Sequence, residues 1–530
     1  MTFVTRLGRS LALPKKSPSR INDSSACRGI IDGSMLPMNP RATGLPLYSR
    51  RRFLRTAAAT ASAVAASSLL PSVSFGQAAG SFKGERPPAP PDGVTVLPPM
   101  GRLPVSLIID DSTCLVNLNR FAIPQFAAAW AASGGRENGK PPAFDQPWRT
   151  WPSEIPDAFV RKFGEWSSEH GVKGKFSVVP FPACVGRLDR GLPGWTKEEL
   201  DNSIKLVREV ITPNWDIHPE MVTHTRVIDT KTGHPYPELS LRFMENWIWS
   251  AGRSADELAN YMAYALRIIK EIGLPCEGIT TPGGFGNQAL RSLSLATLQS
   301  VRDVFGSKEA EIPHYFRHLY DKGPESVAPR VEFASGLQGD DPKCSVSIIG
   351  CTGDWTGGWD CSQPVGADAF ISPDLQSGRV VDVIARGEPA CMVAHWTGIY
   401  YNGQEIGFKI FQEVTSRLRQ RYGNRLLWMK LGEIARYAAA KELTHIERSN
   451  NGTALTLNAP FACPQFTLRV PASRGGNAPP EYSVPGAEHA PLKEASAPDS
   501  LQPGTFARPA DGGGLTVCFA LPRGKSQLHL

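Results

Sequence analysis

The stretch Leu107-Ile108-Ile109-Asp110-Asp111 runs an apolar, strand-forming segment straight into two adjacent carboxylates. An acid pair at a strand end is a place to hold a cation and a base. Outward from it, later short apolar runs also end in chemically useful side chains: Glu220 to Thr225, Thr280 to Gly284, Asp354-Trp355, and His395-Trp396. Strands are expected at 105–109, 175–179, 220–223, 278–281, 345–349, 390–394 and 425–429, alternating with longer amphipathic segments. That order implies parallel β/α units. With no glycine-rich phosphate loop after the first strand, a closed or nearly closed (β/α) barrel of seven or eight strands is favoured over an open doubly wound sheet.

Two helix starts are marked by capping boxes, Thr196-x-x-Glu199 and Ser254-x-x-Glu257, where hydroxyl and carboxylate satisfy free backbone N–H groups. The second helix is expected to stop at Gly273, with Pro275 just beyond. Segments 407–421 and 431–443 read as the last helices. From 444 to 530 the pattern changes to short β-type runs separated by Gly, Pro and Ser, a small β-rich C-terminal region. Residues 77–102 are Pro- and Gly-rich and read as a linker or extended arm ahead of a barrel spanning 103–443.

The 530 residues carry a formal charge of +7, with 41% apolar and 20% charged residues. Residues 1–76 alone account for +9, so about −2 remains for the rest of the chain. The basic balance therefore implies no nucleic-acid partner. Ser49-Arg50-Arg51-Arg52-Phe53-Leu54-Arg55, followed by an Ala- and Ser-rich stretch to Leu70, resembles the twin-arginine export signal. Arg50 and Arg51 are its signal residues, with cleavage expected near Gly76. The resemblance implies an exported, periplasmic or cell-surface bacterial protein that meets the twin-arginine translocation machinery. No later run is long enough to span a membrane, so no integral membrane part is expected. Ten cysteines are scattered; leaving out Cys27, nine remain, an odd number that reads as buried free thiols.

Taken in order, the strand-end segments resemble the polysaccharide deacetylase family, barrel hydrolases that use a divalent metal to remove acyl groups from amino sugars. The resemblance covers residues 103–440. It implies Asp110 as general base and Asp111 as metal ligand, with Glu220–Thr225 supplying His224 as a second ligand. The family's second histidine would fall at Ile228; His218, on the same strand end, is the expected substitute in preference to His234. Thr280-Thr281-Pro282-Gly283-Gly284 resembles a motif in which the family has arginine at the Thr280 position, steadying the base. Pro282, Gly283 and Gly284, with Trp355 and Trp396, would bind substrate. Asp354 would support His395, which protonates the departing nitrogen.

The resemblance implies a metal-dependent hydrolase acting on N- or O-acetylated polysaccharide or cell-wall glycan. Zinc is the first-choice metal, with cobalt, nickel and manganese as alternatives. Two other readings are a glycoside hydrolase using carboxylates among Asp110, Asp216, Glu220 and Asp354, and a barrel that only binds glycan.

Overall fold

The computed structural model describes residues 83–317, 324–362, 364–449, 452–471, 478–486, 488–508 and 514–530. The export motif, with Arg50 and Arg51, lies outside them. All belong to the second of the chain's two compact units, Ala61–Leu530.

Nine strands build the framework: β1 (Leu103–Asp110), β2 (Gly174–Ser177), β3 (Trp215–His218), β4 (Gly278–Thr281), β5 (His314–Arg317), β6 (Arg330–Ser335), β7 (Lys343–Ile349), β8 (Ala390–His395) and β9 (Leu426–Trp428). They form two sheets, where the sequence implies one closed or nearly closed barrel. The first is parallel, in the order β8-β1-β2-β3, with β9 pairing the start of β1. The second runs β4-β5-β7-β6 and is mixed, because β6 is antiparallel to β7. At one seam an isolated parallel bridge joins Glu220 to Thr280. At the other, the Cys351 N–H donates to the Cys391 carbonyl at 2.7 Å. The protein is thus a mixed α/β fold whose sheets meet at two seams without a continuous closed ladder.

β1 is buried along nearly its whole length, as a strand covered on both faces must be, which explains its unbroken apolar run. Both expected capping boxes form: Thr196 and Ser254 each accept from the N3 backbone, and Glu199 and Glu257 accept from the cap N–H. The helix Ala255–Glu271 buries Leu258, Met262, Leu266 and Ile269 along one stripe and is followed by Gly273 in the left-handed region at φ 73°. Strands β5 and β6 are absent from the sequence reading. β5 is only four residues long and opens on a histidine, so it lacks the apolar run by which its neighbours are recognised.

The expected strand at 220–223 is displaced to Trp215–His218. Pro219 has no N–H to continue a ladder. Beyond it, Met221 (φ 52°) and His224 (φ 64°) adopt left-handed conformations that a strand cannot contain.

The C-terminal region supplies nine of the ten strands of two five-stranded sheets, packed around a core of Leu455, Leu457, Phe466, Leu468, Val517 and Phe519. The Pro-rich segment is also more ordered than a linker. Thr95–Val96 pairs with Arg469 and Leu468 in one of these sheets. Upstream, Gly84 bridges to Ala334, and Glu85 accepts from the Gly336 and Leu337 N–H groups at 2.8 and 3.1 Å. The arm therefore straps β6 to the C-terminal sheets. All nine described cysteines are free, and all but Cys184 are buried. Among the described residues no helix is long and apolar enough to cross a membrane.

Candidate metal and acid–base site

Asp110 ends β1, paired in register with His395 at the end of β8, so the two side chains start from the same level. Asp110 is fully buried, and its cation comes from the neighbouring strand. Lys175 in β2, also fully buried, forms an ion pair with the Asp110 carboxylate. The same ammonium donates to the Ile109 carbonyl at 3.0 Å and to Ser177 Oγ at 2.9 Å. Thr280, which stands where the resemblance calls for arginine, faces His218 Nδ1 at 3.4 Å. The steadying charge thus arrives by another strand. Its sequence signal was a lysine inside the strand-forming run Gly174-Lys175-Phe176-Ser177-Val178-Val179.

The next residue, Asp111, leaves the strand at φ 59°, which turns its side chain toward the 220–225 segment. His224 Nε2 lies 3.1 Å from Asp111 Oδ1, and its Nδ1 lies 3.4 Å from Glu220 Oε1. Glu220 Oε2 accepts from the Asp111 N–H at 2.8 Å and from Ser177 Oγ at 3.0 Å. Asn119 Nδ2 donates to Asp111 Oδ2 at 2.6 Å and also to the Trp359 carbonyl at 2.9 Å. Asp111 Oδ1, Glu220 Oε1 and His224 Nδ1 are all buried, so these ion pairs lie away from solvent.

Charges follow from this crowding. Burial disfavours the His224 imidazolium, but Asp111 and Glu220 outweigh it and push its pKa up to about 9. Burial pushes Asp111 up, against the pull of His224 and His395. Burial and the Asp110 charge oppose ionisation of Glu220, yet the pull of His224 and Lys175 holds it below its usual value.

The loop that presents His224 is held by Glu245, which sequence reasoning missed. Its Oε1 accepts from the Val222 N–H at 3.2 Å, both oxygens accept from Thr223, and Oε2 accepts from the His224 N–H at 2.7 Å. Tyr261 donates its hydroxyl to the same carboxylate. Asn246, next in sequence, places Nδ2 3.4 Å from His224 Nε2 and accepts from the Gly284 N–H at 2.7 Å. Pro282, Gly283 and Gly284 are thereby linked to the site through Asn246. An added Cβ at Gly283, whose φ is 48°, would lie 2.8 Å from the Asn246 carbonyl oxygen.

On the opposite side, His395 Nδ1 and Asp354 Oδ2 are 2.7 Å apart. Burial works against the imidazolium, but Asp354, then Asp111 and Asp110, raise His395 to about 10. His395 thus carries a proton at neutral pH, as a general acid must.

Two expected site residues belong elsewhere. His218 is not beside His224; it ends the strand six residues earlier, with Nε2 3.0 Å from His314 Nε2. Trp396 is fully buried among Phe159, Phe163 and Phe176, with ring centroids 5.1–5.2 Å away. Trp396 opens the short helix Trp396–Tyr400 that follows β8, and its ring packs on Phe159 and Phe163 of the helix Asp157–Glu169 and on Phe176 of β2. Trp355 is half-buried against Phe370 at 5.1 Å. Phe126 lies 6.1 Å from the His224 ring, with Trp247 and Trp359 packed on it at 5.3 and 6.1 Å. His234, exposed on a small hairpin, is far from this chemistry in character.

No protein-family model and no curated protein matches the chain. Among solved structures it is similar to a probable polysaccharide deacetylase from Pseudomonas aeruginosa PAO1, at 12% identity and a TM-score of 0.30. That match covers 53% of this chain and 71% of the other.

Proposed function

We propose that this chain is an exported, metal-dependent hydrolase of the polysaccharide deacetylase type. The observation that carries this reading is the convergence of two buried carboxylates, Asp111 and Glu220, on the two ring nitrogens of His224, at 3.1 and 3.4 Å, with one donor atom from each residue within 4.8 Å of the others. Buried carboxylates are costly unless a cation compensates them, as the His224 imidazolium does without metal. Two carboxylates and an imidazole suit a borderline divalent cation such as zinc.

In this reading Asp111, Glu220 and His224 hold the metal, with Glu220 filling the position expected of a second histidine. A bound divalent ion would acidify a water molecule and stabilise the oxyanion. Asp110, oriented by Lys175, accepts the proton of the attacking water. His395, kept protonated by Asp354, delivers a proton to the departing nitrogen. Phe126, Trp247 and Trp359 offer an apolar wall for a sugar ring or its acyl group.

The glycoside hydrolase reading is less favoured, because it needs a second free carboxylate beside Asp110, and Asp354 is paired with His395, Asp216 lies in a separate cluster, and Glu220 is turned onto Asp111 and His224. The substrate follows the resemblance: N- or O-acetylated polysaccharide or cell-wall glycan. Export rests on the Arg50-Arg51 motif, and fusing residues 1–80 to a reporter that functions only outside the cytoplasm tests it. Acetate release from acetylated chitin oligomers or peptidoglycan fragments tests the reaction. It should stop in chelator and return with zinc or cobalt; undiminished release in chelator would sink the reading.

A further inference from the structure

The proposed hydrolysis makes no use of a second cluster deeper in the framework, Asp216, His218 and His314. Asp216 and His218 point to the same side of β3, two residues apart, and His314 opens β5. Between these strands runs β4, which opens with Gly278. A Cβ there would lie 2.1 Å from His218 Nε2 and 2.6 Å from His314 Nε2. Only glycine lets the two imidazoles meet across the intervening strand.

A second glycine makes room for the carboxylate. The Gly432 N–H donates to Asp216 Oδ2 at 2.5 Å, and an added Cβ at 432 would sit 3.1 Å from that oxygen and 3.4 Å from His314 Cε1. The outer ring nitrogens are anchored to oxygens. His314 Nδ1 lies 3.0 Å from the Ile312 carbonyl, to which it donates, and His218 Nδ1 faces Thr280 Oγ1 at 3.4 Å. Pinning one imidazole nitrogen on an oxygen while presenting the other inward is the arrangement of metal-ligating histidines. The donor atoms of all three residues lie within 4.8 Å of one another. Among the described residues, no lysine or arginine forms an ion pair with Asp216.

We propose that Asp216, His218 and His314 form a second metal site, taking a zinc-class divalent cation that ties β3 to β5 across β4. Two imidazoles and one carboxylate are a zinc- or cobalt-type donor set, completed by water in the fourth position. The site shares no ligand with Asp111, Glu220 and His224. It therefore stands or falls independently of the hydrolase reading.

The test is metal stoichiometry on the full chain, stripped with chelator, reloaded with zinc and measured by elemental analysis. Wild type should hold two equivalents, His224→Ala one, Asp216→Asn one, and the double variant none. Cobalt loading of His224→Ala should give the visible ligand-field absorption of a four-coordinate ion, and zinc should raise its thermal midpoint. His224→Ala keeps the deeper cluster intact, so the result needs no variant there: if that protein binds no metal, the proposal is overturned. Metal retained in His224→Ala but also in a folded His224→Ala/Asp216→Asn protein overturns it equally. His314→Gln provides a second removal if the asparagine variant does not fold. Loss of only the His224-dependent equivalent from a wild type that holds two would leave the deeper site standing, even where no acetate is released.

Discussion

The two metal-competent clusters both draw on the segment 216–224 but are held by different means. Asp111 and His224 sit where the backbone has left its strand, at φ 59° and 64°, and are fixed by Asn119, Glu245 and Asn246. Asp216, His218 and His314 lie within strands, fixed by ladder hydrogen bonds and by the space that Gly278 and Gly432 leave. Their electrostatics differ as well. One imidazole lies between two carboxylates in the first group and is pushed to about 9, whereas burial holds both imidazoles of the second below their usual value. The first cluster, at strand ends and on loops, can meet a substrate; the second is placed to hold the framework.

The largest effect should come from breaking the first cluster alone. Asp111→Asn removes a ligand and leaves Asn119 facing an amide. Turnover is expected to fall by about 10³-fold or more while the deeper zinc equivalent is retained. Deacetylation kinetics and metal analysis on one preparation check both halves. A variant that loses both metals would show that the clusters are not independent.

Lys175 sharpens the comparison from the side of stability. Lys175→Met leaves Asp110 buried without its ion-pair partner, which costs about 3–5 kcal/mol in comparable cases. Urea unfolding should register that loss. Thr280→Ala, at the position of the family's arginine, should leave the environment of Asp110 unchanged, because Thr280 contacts His218 instead. Equal destabilisation by the two substitutions would remove Lys175 from the orienting role.

Protonation separates the clusters next. Without metal the His224 ring holds a proton up to about pH 9, and zinc must displace it. Zinc affinity measured on Asp216→Asn, which reports the first cluster, should therefore rise about tenfold per pH unit between pH 7 and 9. In His224→Ala, which reports the second, His218 and His314 are already neutral over that range. Their rings give the affinity no comparable slope.

How much of this the chain disclosed depended on how local each signal was. Strand ends at Asp110 and His395 and the two capping boxes were legible because a run of apolar residues or a fixed i, i+3 spacing carries them. The seams were not, since whether β4 closes onto β3 or β8 onto β7 is decided by pairing between distant segments. Lys175 replaced the expected arginine from a different strand, and no motif window contains both it and Asp110. His218 was misplaced for a related reason. With Glu220 only two residues on, spacing could not say which of the two reaches Asp111; Pro219 and the left-handed turn at Met221 decide in favour of Glu220.

The smallest expected effect tests how the His224 loop is held. Glu245 collects three consecutive N–H groups and the Tyr261 hydroxyl on one buried carboxylate, and burial raises it to about 7 despite those donors. Glu245→Gln keeps the shape but turns one acceptor oxygen into a donor facing N–H groups. The loop should lose order, at a cost of about 1–3 kcal/mol for the hydrogen bonds left unmade. Metal affinity at Asp111, Glu220 and His224 should drop about 10- to 100-fold, as substitutions behind a ligand usually cause. The deeper cluster, held by strands that Glu245 does not touch, should bind zinc as before. A matching loss there would mean that both clusters respond to the framework as a whole, and that the His224 loop has no support of its own.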